Sequence, residues 1–211
     1  MFPRRPKQCL LTVFITLILV GPMALASAGE PQDKIRQTIE SVLDILRDES
    51  LRAPDRTQER RDKIRQAVVT RFGFEEMGKR ALGRNWRTLT PAQQKEFVSL
   101  FSELLERSYI SKIEAAGGSS DFEVLYTKET IEDDGYAMVR TEFVNKRDLN
   151  TVVEYRLLQR QDDWEVYDIV IEGVSLVNNY RTQFNQIIHQ ESFDALIRKM
   201  KTKIAQETAA Q

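Results

Sequence analysis

Residues 164–188 read WEVYDIVIEGVSLVNNYRTQFNQII and contain a change of hydrophobic period. Up to Ile171, apolar and polar residues alternate, which is typical of a β-strand with one buried face. Glu172 and Gly173 then form a turn signal. Beyond the turn, apolar residues recur at helical spacing, so the stretch predicts a strand followed directly by an amphipathic helix. The helical apolar positions are Leu176, Val177, Tyr180, Phe184, Ile187 and Ile188.

Three segments before this stretch alternate in the same way, over residues 122–126, 136–145 and 151–160. Turn residues at 132–135 separate the first two of them. We therefore expect a four-stranded antiparallel sheet over residues 121–172, with one apolar face. The apolar face collects Val139, Phe143, Val153, Tyr155, Leu157, Tyr167, Ile169 and Ile171, and the opposite face carries Arg140, Glu142, Glu154, Arg156 and Asp168.

Helices are predicted on both sides of the sheet, over residues 31–117 and 175–206. Thr90 and Gln93 flank a proline at a predicted helix start and form a capping box. The charge run at 59–63 predicts a solvated helix face. The resulting fold class is α+β, with a four-stranded antiparallel sheet between N-terminal and C-terminal helices.

The composition narrows the possible function classes. The chain has 211 residues, of which 41% are hydrophobic and 30% are charged, as in an ordinary globular domain. Its 31 basic and 32 acidic residues leave a formal charge of −1, which argues against a polybasic nucleic-acid binder. One Cys and one His are too few for a structural zinc site, which needs about four such ligands. Nucleophilic catalysis through a histidine would depend on His189 alone.

Residues 1–28 have the features of a secretory signal peptide. Three basic residues precede an apolar run over residues 10–20, and small residues place cleavage after Ala26 or Ala28. The run is shorter than the about 20 apolar residues that cross a bilayer. The predicted mature domain, residues 29–211, keeps 28 basic and 32 acidic residues and a formal charge of −4. We expect an exported protein, which in a bacterium with two membranes is periplasmic.

The predicted mature chain contains no short motif of a known catalytic or phosphate-binding site. Its acidic pairs at 133–134 and 162–163 lie in predicted hairpin turns, where Asp bonds the local backbone. His189 is interpreted as a surface histidine near a helix end. Asp168 leaves two interpretations open. It forms a salt bridge across the sheet with Arg140 or Arg156, or it is a buried acid/base group beside a tyrosine in a cavity enzyme.

Two segments of the chain carry a family resemblance. Residues 79–110 read KRALGRNWRTLTPAQQKEFVSLFSELLERSYI, and residues 164–188 are quoted above. The blocks GRNWRTLTPAQ and VIEGVSLVNNYR resemble those of the MlaC family, also called the toluene-tolerance family. The export signal and the order of helices, strands and helices fit the same family, so the resemblance spans nearly all of the mature chain.

The resemblance implies both a fold and a function. The family fold is a nuclear-transport-factor-like sheet with an added helical subdomain, which together enclose an apolar cavity. A member is expected to be a soluble phospholipid carrier and not an enzyme, with lipid as cargo and no cofactor. Its implied partners are an outer-membrane lipoprotein–porin complex and an inner-membrane ATP-binding-cassette (ABC) transporter with an MCE-type lipid-binding subunit. Lipid transport between them maintains outer-membrane asymmetry.

The residues that would line such a cavity come from the apolar sheet face, the long helix and the segment after the sheet. For each of them, ordinary core packing is the alternative interpretation. The quoted segments also contain Trp86, Trp164, Arg84 and Arg87, which would shape the cavity mouth or a docking face. For the two tryptophans, a role as packing anchors is the alternative interpretation. A cavity enzyme and an adaptor with a fully packed core remain as alternative functions. The predicted cavity residues are Phe97, Phe101, Leu104, Leu105, Val139, Phe143, Val153, Tyr155, Leu157, Tyr167, Ile169, Ile171, Val174, Val177, Tyr180 and Phe184.

Overall fold

The computed structural model describes residues 31–117, 122–145 and 150–209. The predicted signal peptide, residues 1–28, lies outside these ranges. Within them the chain forms helices, then one sheet, then two more helices, so the predicted α+β class is confirmed. No helix in the described part of the chain is long and apolar enough to cross a membrane.

The N-terminal helices are α1 (Pro31–Arg47), α2 (Thr57–Val69), α3 (Phe74–Leu82) and α4 (Pro91–Gly117). Short 3₁₀ helices at Glu49–Leu51, Pro54–Arg56 and Gly83–Thr88 connect them. The predicted capping box at the start of α4 is present. The Gln93 amide donates to Thr90 Oγ1 over 3.3 Å, and Gln93 Oε1 accepts from the Thr90 amide over 2.9 Å.

The charged face of α2 is not simply solvated, contrary to the sequence-based expectation. Arg60 donates to Glu114 Oε1 of α4 through Nη2 over 2.7 Å, and Arg61 donates to Oε2 through Nη2 over 3.0 Å. All three side chains are largely buried. Arg60 also donates to the carbonyl oxygen of Leu51 over 2.9 Å, so this polar cluster joins α2, α4 and the preceding link.

The sheet is an antiparallel meander in the order β1-β2-β3-β4-β5. Over the part of the chain that the structure describes, it therefore has five strands and not the predicted four, because a short extra strand follows the predicted last one. The strands are β1 (Phe122–Ile131), β2 (Tyr136–Asn145), β3 (Thr151–Arg160), β4 (Asp163–Ile171) and β5 (Val174–Ser175).

A tight hairpin at Glu172 and Gly173 connects β4 to β5. Their φ angles are +49° and +78°, a pair of positive values that is typical of a type I′ turn. The hairpin pairs Val174 with Ile171 at the sheet edge. Val174 is 61% exposed at this edge, and its place in the cavity lining stays a prediction.

A β-bulge in β4 changes the face on which Tyr167 lies. Arg156 pairs with Asp168 and Leu157 pairs with Val166, so Tyr167 has no partner in the β3–β4 register. Its ring contacts Tyr136 and the guanidinium of Arg80, whereas Ile169 pairs with Tyr155 on the apolar face. The predicted placement of Tyr167 beside Ile169 is therefore wrong, because strict alternation does not pass through a bulge.

The chain ends in helices α5 (Leu176–Gln190) and α6 (Phe193–Ala209). Ser192 caps α6, since its hydroxyl oxygen accepts from the Ala195 amide over 3.1 Å. His189 is exposed in the last turn of α5, as expected for a surface histidine. Helix α5 packs on α3 and β4, and α6 packs on α4, so the C-terminal helices complete a helical layer.

Candidate functional site

Two apolar cores meet at strand β4, where Ile169 packs against both of them. The helical core is formed by α3, α4, α5 and α6, and the sheet core is formed by α1 with strands β2, β3 and β4. The helical core comprises Met77, Ala81, Leu82, Phe97, Phe101, Leu104, Leu105, Leu176, Val177, Tyr180, Phe184, Leu196, Ile197, Met200 and Ile204. The sheet core comprises Ile35, Ala137, Val139, Leu157, Trp164 and Val166.

Three half-buried residues of the sheet lie between these cores, and we call them the seam: Tyr155, Ile169 and Ile171. Tyr155 packs against the sheet core, Ile171 against the helical core, and Ile169 against both. Tyr155 and Ile169 are cross-strand partners on β3 and β4. At the seam, apolar side chains of the sheet keep part of their surface free beside the buried Val153 and Leu157.

Seven of the predicted cavity residues belong to the helical core. Their aromatic rings interlock: the centroid of Phe184 lies 5.6 Å from those of both Phe97 and Phe101, and Phe101 lies 5.3 Å from Tyr180. These seven side chains therefore make ordinary core contacts in this structure. They are Phe97, Phe101, Leu104, Leu105, Val177, Tyr180 and Phe184.

The predicted cavity residues on strands β2 and β3 differ in how deeply they are buried. Val139 and Leu157 are buried in the sheet core, and Val153 is buried beside the seam. Phe143 is half-buried on β2. The structure thus brings together Val153 and the three seam residues on adjoining strands.

The seam carries no charge near neutral pH. Burial raises the pKa of the Tyr155 phenol well above its usual range, and the nearby Thr141 hydroxyl offsets only part of this effect. Thr141 itself is buried and donates to the carbonyl oxygen of Val153 over 3.3 Å. The Tyr155 phenol and the Thr141 hydroxyl are therefore both neutral, which suits contact with hydrocarbon.

A groove of about 290 Å³ runs between α1 and β1. Its floor is apolar, its rim is charged, and one rim residue, Arg36, lies 4.0 Å from the ring centre of Tyr126. The floor residues Ile39 and Tyr126 also pack against the sheet core, so the groove is continuous with it. The lining consists of Ile39, Leu43, Val124 and Tyr126 on the floor and Arg36, Glu40, Arg47 and Glu123 on the rim.

Sequence reasoning missed this groove. The stripe of α1 that contains Ile39 and Leu43, and the alternation of β1 that contains Val124 and Tyr126, are both visible in the sequence. What the sequence lacks is the pairing of these two elements, because residues far apart in the chain meet only in the folded protein.

The side chain of Asp168 is buried and joins strands β3, β4 and β5 to the start of α5 through hydrogen bonds. Its carboxylate is 4% exposed and accepts three hydrogen bonds, from the Val177 amide, the Ser175 hydroxyl and Arg156 Nη1, over 3.0, 2.7 and 3.3 Å. The predicted salt bridge is confirmed, with Arg156 as the partner. Because both carboxylate oxygens already accept hydrogen bonds, the group serves as an acceptor within the fold. A general acid or base needs an oxygen that is free to exchange a proton with a substrate.

The other polar candidates are also engaged in structural contacts. Asp163, predicted as a turn residue, begins β4 and forms ion pairs with Arg71 and Lys34 over 2.8 and 3.1 Å. Trp164 is buried in the sheet core and Trp86 packs against the helical core, which fits packing anchors. Among the residues described, no group of three or more His, Cys, Asp or Glu side chains could hold a metal ion.

Comparisons with known proteins agree with the fold and the two quoted sequence blocks. A profile of the MlaC protein family matches residues 36–202. The chain belongs to the MlaC family. The intermembrane phospholipid transport system binding protein MlaC of Haemophilus influenzae is 21% identical to this MlaC-family chain over 200 residues, which cover 93% of the chain and 92% of that relative.

A solved structure is also similar to this MlaC-family chain. It is the phospholipid-binding protein from Ralstonia solanacearum in complex with a phospholipid, determined at 1.53 Å. The two chains are 27% identical with a TM-score of 0.72, and the match covers 85% of this chain and 99% of the other. The family predicted from the sequence blocks is therefore confirmed.

Proposed function

We propose that this chain is a periplasmic phospholipid carrier that holds acyl chains against the seam and the sheet core. The observation that carries the proposal is the half-buried apolar seam between two separate cores, in a fold whose relative from Ralstonia solanacearum holds a phospholipid. The carrier takes part in no covalent chemistry. It exchanges lipid with an outer-membrane lipoprotein–porin complex and with an inner-membrane ABC transporter that has an MCE-type subunit, and this exchange maintains lipid asymmetry.

A carrier is needed because bare lipid does not cross water at a useful rate. Burying one methylene contributes about 0.8 kcal/mol, so two acyl chains with roughly 30 methylenes would cost on the order of 25 kcal/mol to expose. A neutral apolar seam offers the chains a surface similar to the bilayer interior. Its affinity must stay close to that of the bilayer, since a much tighter site would never release its cargo. Direction then comes from the partner complexes.

We propose the groove between α1 and β1 as the mouth of this site. Its apolar floor leads to the sheet core, and its rim places Arg36 and Arg47 where a lipid phosphate would remain in water. An amphiphile fits this arrangement because its chains and its anionic headgroup need different surroundings. Guanidinium groups at the rim suit a phosphate without burying it.

Loading requires the groove to widen. Its volume of about 290 Å³ lies just below the range for small-molecule sites, which is about 300–1,000 Å³. The first turn of α1 is tied to the sheet, through Lys34 to Asp163 over 3.1 Å and through the Gln32 amide to Glu129 over 2.7 Å. We therefore propose that the later turns of α1 move away from β1 to admit acyl chains.

The proposal is tested by native mass spectrometry of the mature protein, purified without detergent from the exported fraction. We expect an adduct of phospholipid mass that is released on denaturation and identified after organic extraction. Protein that purifies without lipid would then be incubated with phospholipid vesicles. If folded protein failed to take up lipid from these vesicles, the carrier proposal would be abandoned in favour of an adaptor with a packed core.

A further inference from the structure

Three arginines line a second pocket, of about 320 Å³, at the junction of α3, the following 3₁₀ helix and α5. Arg84 and Arg87 come from the 3₁₀ helix and Arg181 comes from α5. All three side chains are exposed. Over residues 31–117, 122–145 and 150–209, none of their guanidinium groups forms a hydrogen bond or an ion pair with another side chain. We call them the arginine cluster.

The local geometry fixes the spacing of the arginine cluster. Residues three apart in a 3₁₀ helix lie on the same side, so Arg84 and Arg87 project together. The side-chain Nδ2 of Asn85 donates to Asn185 Oδ1 over 2.7 Å and ties the 3₁₀ helix to α5. Gly83 has a φ of +56°, and a Cβ there would lie 3.2 Å from Arg181 Nε, so the guanidinium packs close to the bare backbone.

Among the described residues, the lining of this pocket holds three like charges and no acidic residue, which is unfavourable in the free protein. Other arginines of this chain have an acidic partner; Arg60 and Arg61, for example, both form ion pairs with Glu114. An arrangement of cations that costs free energy when empty, and whose backbone is tied in place between the 3₁₀ helix and α5, is suited to an anionic ligand. Arginine also binds carboxylates through two parallel hydrogen bonds, which gives orientation as well as attraction.

We propose that Arg84, Arg87 and Arg181 form a docking site for a carboxylate-rich segment of a partner protein. The formal charge of the whole chain is −1, which disfavours adsorption to an anionic bilayer through a patch of three cations. A single small anion on an exposed patch would be screened and weakly held. A segment with several carboxylates engages all three guanidinium groups at once, so each contact makes the next more favourable. The inference goes beyond the carrier proposal and does not depend on bound lipid.

The test titrates the isotope-labelled mature protein with a short synthetic peptide rich in Glu and Asp and follows amide chemical shifts. We expect saturable binding, with the largest shifts at residues 83–87 and near Arg181. The triple variant R84E/R87E/R181E should bind at least about tenfold more weakly. The control variant K95E/K128E/R198E reverses three exposed cations elsewhere and makes the same change in net charge, and it should bind like the wild type.

Inorganic phosphate and vesicles of phosphatidylglycerol are titrated in parallel. Binding to vesicles without binding to the peptide would overturn the proposal and indicate a membrane contact. An equal loss of peptide binding in the control variant would overturn it as well, since bulk charge would then explain the attraction. Absence of peptide binding would have the same consequence. Phospholipid content is measured on every variant, so a failure of the carrier proposal is detected separately.

Discussion

The backbone amide of Val177 donates a hydrogen bond of 3.0 Å to the buried carboxylate of Asp168. The carboxylate also accepts from the hydroxyl of Ser175, whose oxygen in turn accepts from the Asn178 amide over 3.0 Å. Asp168 thus provides acceptors for the free backbone N–H groups in the first turn of α5. It accepts from Val177 directly, and it holds the hydroxyl of the N-cap residue Ser175, which accepts from Asn178. This contact fixes the start of α5 on strand β4, next to the seam.

Asp168→Asn is expected to lower the free energy of unfolding by about 2 kcal/mol, because the amide loses the charge that holds Arg156 and the helix start. Urea denaturation at neutral pH measures the loss. The phospholipid content of the folded fraction should stay unchanged. Arg140→Gln is the control, since its pair with Glu154 is partly exposed and 3.4 Å long. Loss of lipid from folded Asp168→Asn protein would contradict a purely structural role.

Gly173→Ala is expected to lower the free energy of unfolding by about 1 kcal/mol. Apart from its two chain neighbours, no heavy atom of the described residues lies within 4 Å of the place that a Cβ would take at residue 173. The cost therefore comes from the φ of +78° and not from a clash. Gly173→Asn should lose less, because asparagine tolerates the left-handed region better than alanine does. Thermal or urea unfolding compares the two variants. Equal losses would show that the backbone conformation is not the cause.

Glu114→Gln is expected to lower the free energy of unfolding by about 2 kcal/mol near neutral pH. Burial raises the pKa of Glu114, but Arg61 and Arg60 lower it by more, so the pKa lies below its ordinary value. A carboxylate with a lowered folded pKa stabilises the protein above its unfolded pKa, and this stability is lost as the pH falls through the folded pKa. Urea denaturation should therefore show a difference between wild type and variant that shrinks below about pH 4.

The matched control for this pH series is Glu103→Gln, which removes an acidic residue from the same helix. Its partner Arg107 is one helical turn away, and the Glu103 side chain is 40% exposed. The free energy of unfolding of this variant should stay within about 0.5 kcal/mol of the wild-type value, both near neutral pH and at low pH. A difference for Glu114→Gln that persisted unchanged at low pH would contradict the charge-based explanation.

Local sequence patterns predicted most of the fold. The capping box at Thr90 and Gln93 was visible because capping depends on residues only three apart. The strand-to-helix change after Ile171 was visible for the same reason. The fifth strand was missed because two residues are too few to show a period, and its only signal was the turn at Glu172 and Gly173.

The candidate site was less predictable because it depends on contacts between distant elements. Alternation placed Tyr155 and Ile169 on one face correctly, but the bulge at Tyr167 breaks the period and leaves no mark in the sequence. The burial of Arg60 and Arg61 required knowing that α2 lies beside Glu114, 53 residues away from Arg61 in the chain. Predicting the groove at Val124 would likewise have required knowing that α1 lies beside β1.

Ile169→Asp is expected to remove most of the bound phospholipid, because it places a charge in the seam where acyl chains are proposed to lie. Native mass spectrometry of the folded fraction measures lipid per chain. Leu125→Asp is the control, since this residue is 39% exposed and pairs with Glu142 on the opposite face of the sheet. Ile169→Asn replaces the Asp variant if the latter does not fold. Lipid at the wild-type level in either folded Ile169 variant would remove the seam from the site.

Val124→Trp tests the groove between α1 and β1 as the mouth. Val124 is half-buried on the groove floor, so an indole there would occupy the space through which acyl chains are proposed to enter. We expect uptake from phospholipid vesicles to slow at least about tenfold, while the unfolding transition stays close to that of the wild type. Leu125→Trp adds the same ring at the next residue, on the opposite face, and should load normally. If both variants load at the wild-type rate, lipid enters elsewhere, and α1 need not move for loading.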